Sequence, residues 1–153
     1  MGENDAGELR EAGVLADGGG RAFTVMGDRV IVKATASDPP HTLFEVVTRG
    51  PFGPPPHRQP WPETYYVLEG ALDVLLDGAW RTASVGDTVH VPAGVTRAHR
   101  AHEAKRCRFL VFAAHGAIAE LFRALDDEPS VSAPDVEAVG RAAATFGVRP
   151  PKD

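Results

Sequence analysis

The chain has 153 residues, 43% hydrophobic and 24% charged, the proportions of an ordinary folded protein rather than a disordered or coiled-coil one. At about 100–200 residues per domain, this length leaves room for one core and excludes a multidomain machine. Sixteen Lys and Arg against 21 Asp and Glu give a net charge of −5. No cationic excess exists to neutralise a phosphate backbone or an anionic lipid surface, so neither nucleic acid nor membrane is an expected partner.

Residues 1–21 are read as a flexible arm: Glu8-Leu9-Arg10-Glu11-Ala12 has the makings of a helical turn, but Gly18-Gly19-Gly20 follows at once. The acidic start, Met1-Gly2-Glu3-Asn4-Asp5, lacks the basic and apolar regions of a secretory signal. The longest apolar run, Phe109 to Ala114, falls far short of the roughly 20 residues of a membrane span. A cytoplasmic location is expected. The single Cys107 permits no intrachain disulfide and reads as a buried core thiol.

Residues 22–114 carry the strand signals. Phe23–Val25, Arg29–Thr35 and Thr42–Thr48 are rich in β-formers, punctuated by Gly27-Asp28 and Asp38-Pro39-Pro40. Six prolines between 51 and 62 exclude a central strand there and predict extended backbone at a rim or edge. Strands resume at Thr64–Leu68 and Ala71–Leu76, and Asp77-Gly78 closes a hairpin onto Ala79–Thr82. Thr88–Val91, Thr96–Arg100 and Arg106–Ala113 complete the series. Such short strands at regular spacing predict an antiparallel sandwich or barrel.

Residues 115–153 change period. Ile118, Leu121, Phe122 and Leu125 fall on one helical face. Ser132 with Asp135 resembles a capping box, Val136, Val139 and Ala143 continue a second helical face, and Gly147 is a C-cap before Pro150-Pro151. The two helices are expected to lie against the outside of the β-domain.

The chemistry-bearing segments are His57-Arg58-Gln59-Pro60-Trp61-Pro62-Glu63, ending seven residues later at Gly70, and Gly86 to His99 with Pro92 and Gly94 between. Together they resemble the two motifs of the cupin superfamily in spacing and order. The resemblance implies an all-β fold, the cupin double-stranded β-helix or jelly-roll barrel, here with a C-terminal two-helix appendage similar to the quercetin-dioxygenase-like monocupins. It also implies a homodimer, which fits the tendency of open sheet edges to pair. Family members with the full pattern hold a divalent metal through two histidines and a glutamate of the first motif and a histidine of the second. Here Gln59 stands for the second histidine, Arg97 for the second-motif histidine and Ala101 for the asparagine. An amide is a poorer ligand than imidazole, and arginine has no lone pair to give.

Two readings of the barrel interior follow. In one, His57, Gln59, Glu63 and His99 hold Fe, Ni, Mn or Zn for a dioxygenase-like oxidoreductase acting on an aromatic or enolic substrate, although His99 lies two residues, about 6.5 Å, along the strand from Arg97. In the other, the site is metal-free: Arg97 points inward, pairs with Glu63 and takes the place of the ion. Catalysis would then rest on His57 and Glu63 as acid and base with Arg97 stabilising an oxyanion, as in an isomerase or cyclase; a non-catalytic ligand-binding barrel is the third possibility. Tyr65 shares the face of Glu63 and is expected to line the pocket. Trp61, between prolines, is expected at the rim, and His90 against the pocket wall. His41, His102 and His115 sit at element ends and read as solvated. Every reading takes a small molecule as the partner.

Overall fold

The computed structural model describes residues 7–51, 53–126 and 136–152. Nine strands form two sheets among them: β1 (Arg21–Val25), β2 (Asp28–Ser37), β3 (Pro40–Thr48), β4 (Glu63–Glu69), β5 (Ala71–Leu76), β6 (Ala79–Ser84), β7 (Thr88–Val91), β8 (Arg97–Ala101) and β9 (Cys107–Ala113). The larger sheet runs β1-β2-β3-β9-β4-β7 and the smaller β6-β5-β8, all pairs antiparallel. The two facing sheets make the jelly-roll barrel that the sequence predicts, and each predicted strand is present. Among the described residues, no helix is long and apolar enough to cross a membrane.

Alternation decides what faces inward. On β9, Cys107, Phe109, Val111 and Ala113 are all buried while Phe112 is half exposed, and on β4, Glu63, Tyr65 and Val67 point in while Tyr66 points out. A period of two on a sheet with one covered face produces this pattern. Cys107 is a core thiol, its pKa pushed up by burial to about 11.

Two turns show why the residues at them are needed. Asp77 and Gly78 both have positive φ, 47° and 90°, the backbone of a tight hairpin that matches strand twist. Gly70, at φ 75°, turns the chain from β4 in one sheet to β5 in the other, where a Cβ would come 2.3 Å from the Arg106 carbonyl oxygen.

Within the N-terminal segment, Leu9 exchanges backbone hydrogen bonds with β2, and buried Glu8 pairs with Arg10 and Arg21. Helix α1 (Ile118–Leu125) buries Ile118, Ala119, Leu121 and Phe122, with Phe122 edge-on to Phe44. Helix α2 (Val136–Ala144) ends at Gly147, φ 89°, where the Val148 and Gly147 amides donate to the Ala143 and Ala144 carbonyls. The capping box at Ser132 and Asp135 lies outside the described residues.

The helices are more than an outer covering. Leu121, Phe122 and Leu125 of α1 and Val139, Gly140 and Ala143 of α2 line the same cavity as β2, β3, β4 and β8. Sequence periodicity predicts an apolar face on each helix; it does not say that this face meets the barrel interior.

Candidate functional site

The barrel encloses a cavity of about 510 Å³, within the size range of small-molecule sites. Its wall is mostly apolar: Val30, Phe44, Val46, Phe109, Val111 and the helix residues above. The polar groups gather from five places: Asp28 on β2, Glu63 and Tyr65 on β4, Arg97 and His99 on β8, His57, Gln59 and Trp61 on the proline-rich segment, and Arg149 after α2.

That segment is held as an extra, single-bridge strand. His57 exchanges two backbone hydrogen bonds with Arg97 (3.0 and 2.9 Å), and the next residue, Arg58, does the same with Arg149 after α2 (both 2.8 Å). Proline supplies extended backbone but few donors, and among those that remain the N–H groups of His57 and Arg58 make the bridges. The Gly94 amide donates to the Gln59 carbonyl at 2.9 Å, fixing one motif against the other. Residues widely separated in sequence thus converge in the barrel interior.

Arg97 is the centre of the cluster. Through Nη2 it donates to Glu63 Oε1 and to the Tyr65 hydroxyl oxygen, while Trp61 Nε1 donates to Glu63 Oε2 at 2.9 Å. Burial pushes the Glu63 carboxyl up, but the Arg97 charge and the hydrogen bonds from Trp61 and Arg97 outweigh it, and the group stays below the usual carboxylate range. The Tyr65 hydroxyl is pushed up, chiefly by burial. Burial and the neighbouring Arg97 bring His57 down to about 4, so its ring is neutral near pH 7. Its Nδ1 lies 2.9 Å from the Pro55 carbonyl, which can only accept; the proton is therefore on Nδ1 and the Nε2 lone pair is free.

Two donors are left over. Arg97 Nη1 and Gln59 Nε2 are buried with no close hydrogen-bond partner among the described residues; both residues line the cavity, and the Gln59 amide is near enough to Glu63 to help hold its carboxyl down.

The structure brings together His57, Gln59, Glu63, Tyr65 and Arg97, with Arg97 paired to Glu63. Trp61 is not at the rim. It is 3% exposed, lies edge-on to His115 at 4.6 Å and carries a buried hydrogen bond to Glu63. His90 is not in the pocket: it is exposed on the outer face of β7, its Nδ1 3.0 Å from Thr64 Oγ1. The reason is alternation, since its neighbour Val91 is fully buried. His99 does face the cavity, yet its Nε2 is 2.7 Å from Asp28 Oδ2 and so is committed to a carboxylate. Asp28 was read only as part of a turn; its sole sequence signal is that it begins an alternating strand with Val30 and Val32.

These residues do not make a metal centre. Among the described residues, no three His, Cys, Asp or Glu side chains converge as a ligand set. Both Glu63 oxygens accept from neighbours, His99 Nε2 is paired with Asp28, and a permanent cation sits among the proposed ligands. A divalent ion here would face the charge of Arg97, with no carboxylate oxygen left unpaired by a neighbouring donor on Glu63 to hold it.

Comparison with known proteins agrees with the architecture. Residues 43–113 match the family model for the cupin domain. An RmlC-like cupin from Shewanella frigidimarina superposes with a TM-score of 0.58 at 16% identity, covering 69% of this chain and 93% of that one. The polyketide cyclase RemF from Streptomyces resistomycificus superposes with a TM-score of 0.53 at 22% identity, covering 61% and 72%. At such identities these likenesses speak to the cupin fold alone. No curated protein matches the chain.

Proposed function

We propose that this cupin works without a metal, binding a largely apolar small molecule that carries a carbonyl or carboxylate oxygen, and that its chemistry is isomerisation or cyclisation beside that oxygen. One observation carries the reading: Arg97, a residue of the apolar cavity's lining, is anchored to Glu63 and Tyr65 through Nη2 and keeps Nη1 buried without a hydrogen-bond partner among the described residues, so that a ligand oxygen reaches it with a small shift of the side chains above it. A buried donor without an acceptor is costly, about 1–3 kcal/mol, and a ligand oxygen removes that cost. Gln59 Nε2 is a second such donor. Fixed donors in a dry site are also the means by which developing negative charge on oxygen is stabilised, because they are oriented before the reaction begins.

The dioxygenase-like reading lacks a ligand set here, and the pairing of Glu63 with Arg97 and Trp61 leaves that carboxylate no free oxygen with which to act as a base. The test uses protein purified without added metal. Elemental analysis should find far less than one Fe, Ni, Mn or Zn per chain. Binding of 2-tetralone, followed by calorimetry, should survive EDTA, exceed that of tetralin, which has no oxygen, and weaken about tenfold in Gln59→Leu. Stoichiometric metal, or ketone binding abolished by EDTA and restored by the metal, would overturn the proposal.

A further inference from the structure

The cavity contains an acid–base pair that the cupin motifs do not include. Asp28 opens β2 in the larger sheet, and His99 lies in the middle of β8 in the smaller one, 71 residues later. Their side chains meet at 2.7 Å, and those side chains are 6% and 14% exposed. The His99 ring packs edge-on against Phe109 at 5.4 Å, so its plane is held by an aromatic contact as well as by the carboxylate. A carboxylate accepts; the proton between them in the neutral ring therefore belongs to His99 Nε2, and the lone pair to Nδ1. Nδ1 has no hydrogen-bond partner among the described residues, and both residues line the cavity with Arg97 and Gln59.

This is the arrangement a general base requires: an imidazole fixed in one tautomer by a buried carboxylate, with its second nitrogen open. The other candidates are poorer. Glu63 is closed off by Arg97 and Trp61, and His57 is a weak base with a pKa of about 4.

We infer that His99 is the catalytic base and Asp28 its positioning residue, and that the pair removes a proton from the carbon next to a carbonyl of the bound molecule. The inference rests on the proposed function, since the carbonyl oxygen must sit on Arg97 Nη1 and Gln59 Nε2. In the step, the C–H bond breaks and its proton goes to His99 Nδ1. The electron pair forms a C=C bond, the carbonyl π pair moves to oxygen, and the resulting enolate is held by the two donors. The imidazolium then returns the proton, to the γ carbon of the dienolate when the ketone is β,γ-unsaturated, which moves the double bond into conjugation, or to the new alkoxide when the enolate carbon closes a ring onto a second carbonyl. No oxidant, reductant or co-reactant is consumed. The substrate class is an enolisable, mostly apolar ketone.

The test uses the full chain in D2O with 2-tetralone, 2-indanone and 1-phenylpropan-2-one. Deuterium entry at the carbon beside the carbonyl is followed by proton NMR, and binding is measured separately by calorimetry. Exchange should exceed the buffer rate for at least one ketone. His99→Gln, whose amide can still donate to Asp28 and hold the two sheets, should lose exchange 100-fold or more while the Kd stays within about threefold. Asp28→Asn should lose a similar factor. Long-range proton–nitrogen correlation should show the Nε2–H tautomer of His99 in the parent and a mixture of tautomers in Asp28→Asn, whose amide can accept from Nε2–H or donate to Nε2, and the loss should fall on exchange while the ketone Kd stays within about threefold; a parent held as the Nδ1–H tautomer would overturn the role of Asp28.

Ketone binding without exchange above the His99→Gln background would overturn the base assignment and leave the oxygen-binding site standing. No ketone binding beyond that of tetralin would overturn both.

Discussion

Arg97 and Glu63 form a buried ion pair inside the barrel, their side chains 7% and 6% exposed, with Tyr65 and Trp61 completing the hydrogen bonds around them. Taking one charge away leaves the other buried without compensation, which costs about 3–5 kcal/mol, whereas removing both at once is much gentler. Urea unfolding of Glu63→Gln and of Arg97→Leu should each show a loss of this order, and the double variant should lose less than the sum of the two. Additive losses would mean that the pair is not coupled in the fold.

The pair also predicts acid sensitivity. The Glu63 pKa is lower in the folded chain than its ordinary value of 4.5, so the stability it contributes is present above that value and is lost as pH falls through the folded pKa. Thermal unfolding followed below pH 4.5 should be less pH-dependent in Glu63→Gln. A parent and variant with parallel profiles in that window would contradict the assignment.

His57 acts in a different window. Its pKa falls from 6.5 to about 4 on folding, so between these values the unfolded chain takes up a proton that the folded chain refuses, and stability declines as pH drops from 6.5 towards 4. The groups acting on the ring are Arg97, Glu63 and His99 together with the Pro55 carbonyl. His57→Gln should flatten the melting-temperature profile between pH 6.5 and 4 and leave the steeper region below it.

Gln59 separates ligand binding from stability. Its Nε2 has no close partner among the described residues, and its amide adds only the weakest of the interactions that hold the Glu63 carboxyl down, so Gln59→Leu should leave stability within about 1 kcal/mol of the parent. A loss above about 3 kcal/mol would show that the amide supports the fold itself.

Gly140 lies within α2 and lines the cavity, and a Cβ built there meets nothing within 4 Å. Gly140→Ala should stabilise the chain by about 0.5–1 kcal/mol through helix propensity, without displacing the barrel. Calorimetric melting checks it; destabilisation would mean that the helix needs the close approach or freedom of glycine at this point.

Much of the barrel was legible in the chain because strand alternation and turn residues are local properties. Val67 and Phe109 announce their burial through neighbours two residues away, and Asp77-Gly78 announces its hairpin without reference to anything distant. The spacing from His57 to Gly70 and from Gly86 to Gly94 likewise identifies two segments that meet, but it leaves an inward Arg97 paired with Glu63 as one of two readings of the interior, and the ion pair itself is a contact between distant strands. The outward turn of His90 is legible too, in its alternation with Val89 and Val91.

What the sequence determined by itself was the succession of strands and helices and the polar residues assembled on the inner face. Only the tertiary structure decided how those residues share their hydrogen bonds. Trp61 turned inward because Glu63 offered its indole an acceptor, Asp28 became part of the site because the start of β2 meets the middle of β8, and the helices became cavity wall because their apolar faces cover the barrel interior. Each depends on contacts between distant elements, and a residue's hydrogen-bond partners are set by where the folded chain brings acceptors and donors together, not by its neighbours in sequence.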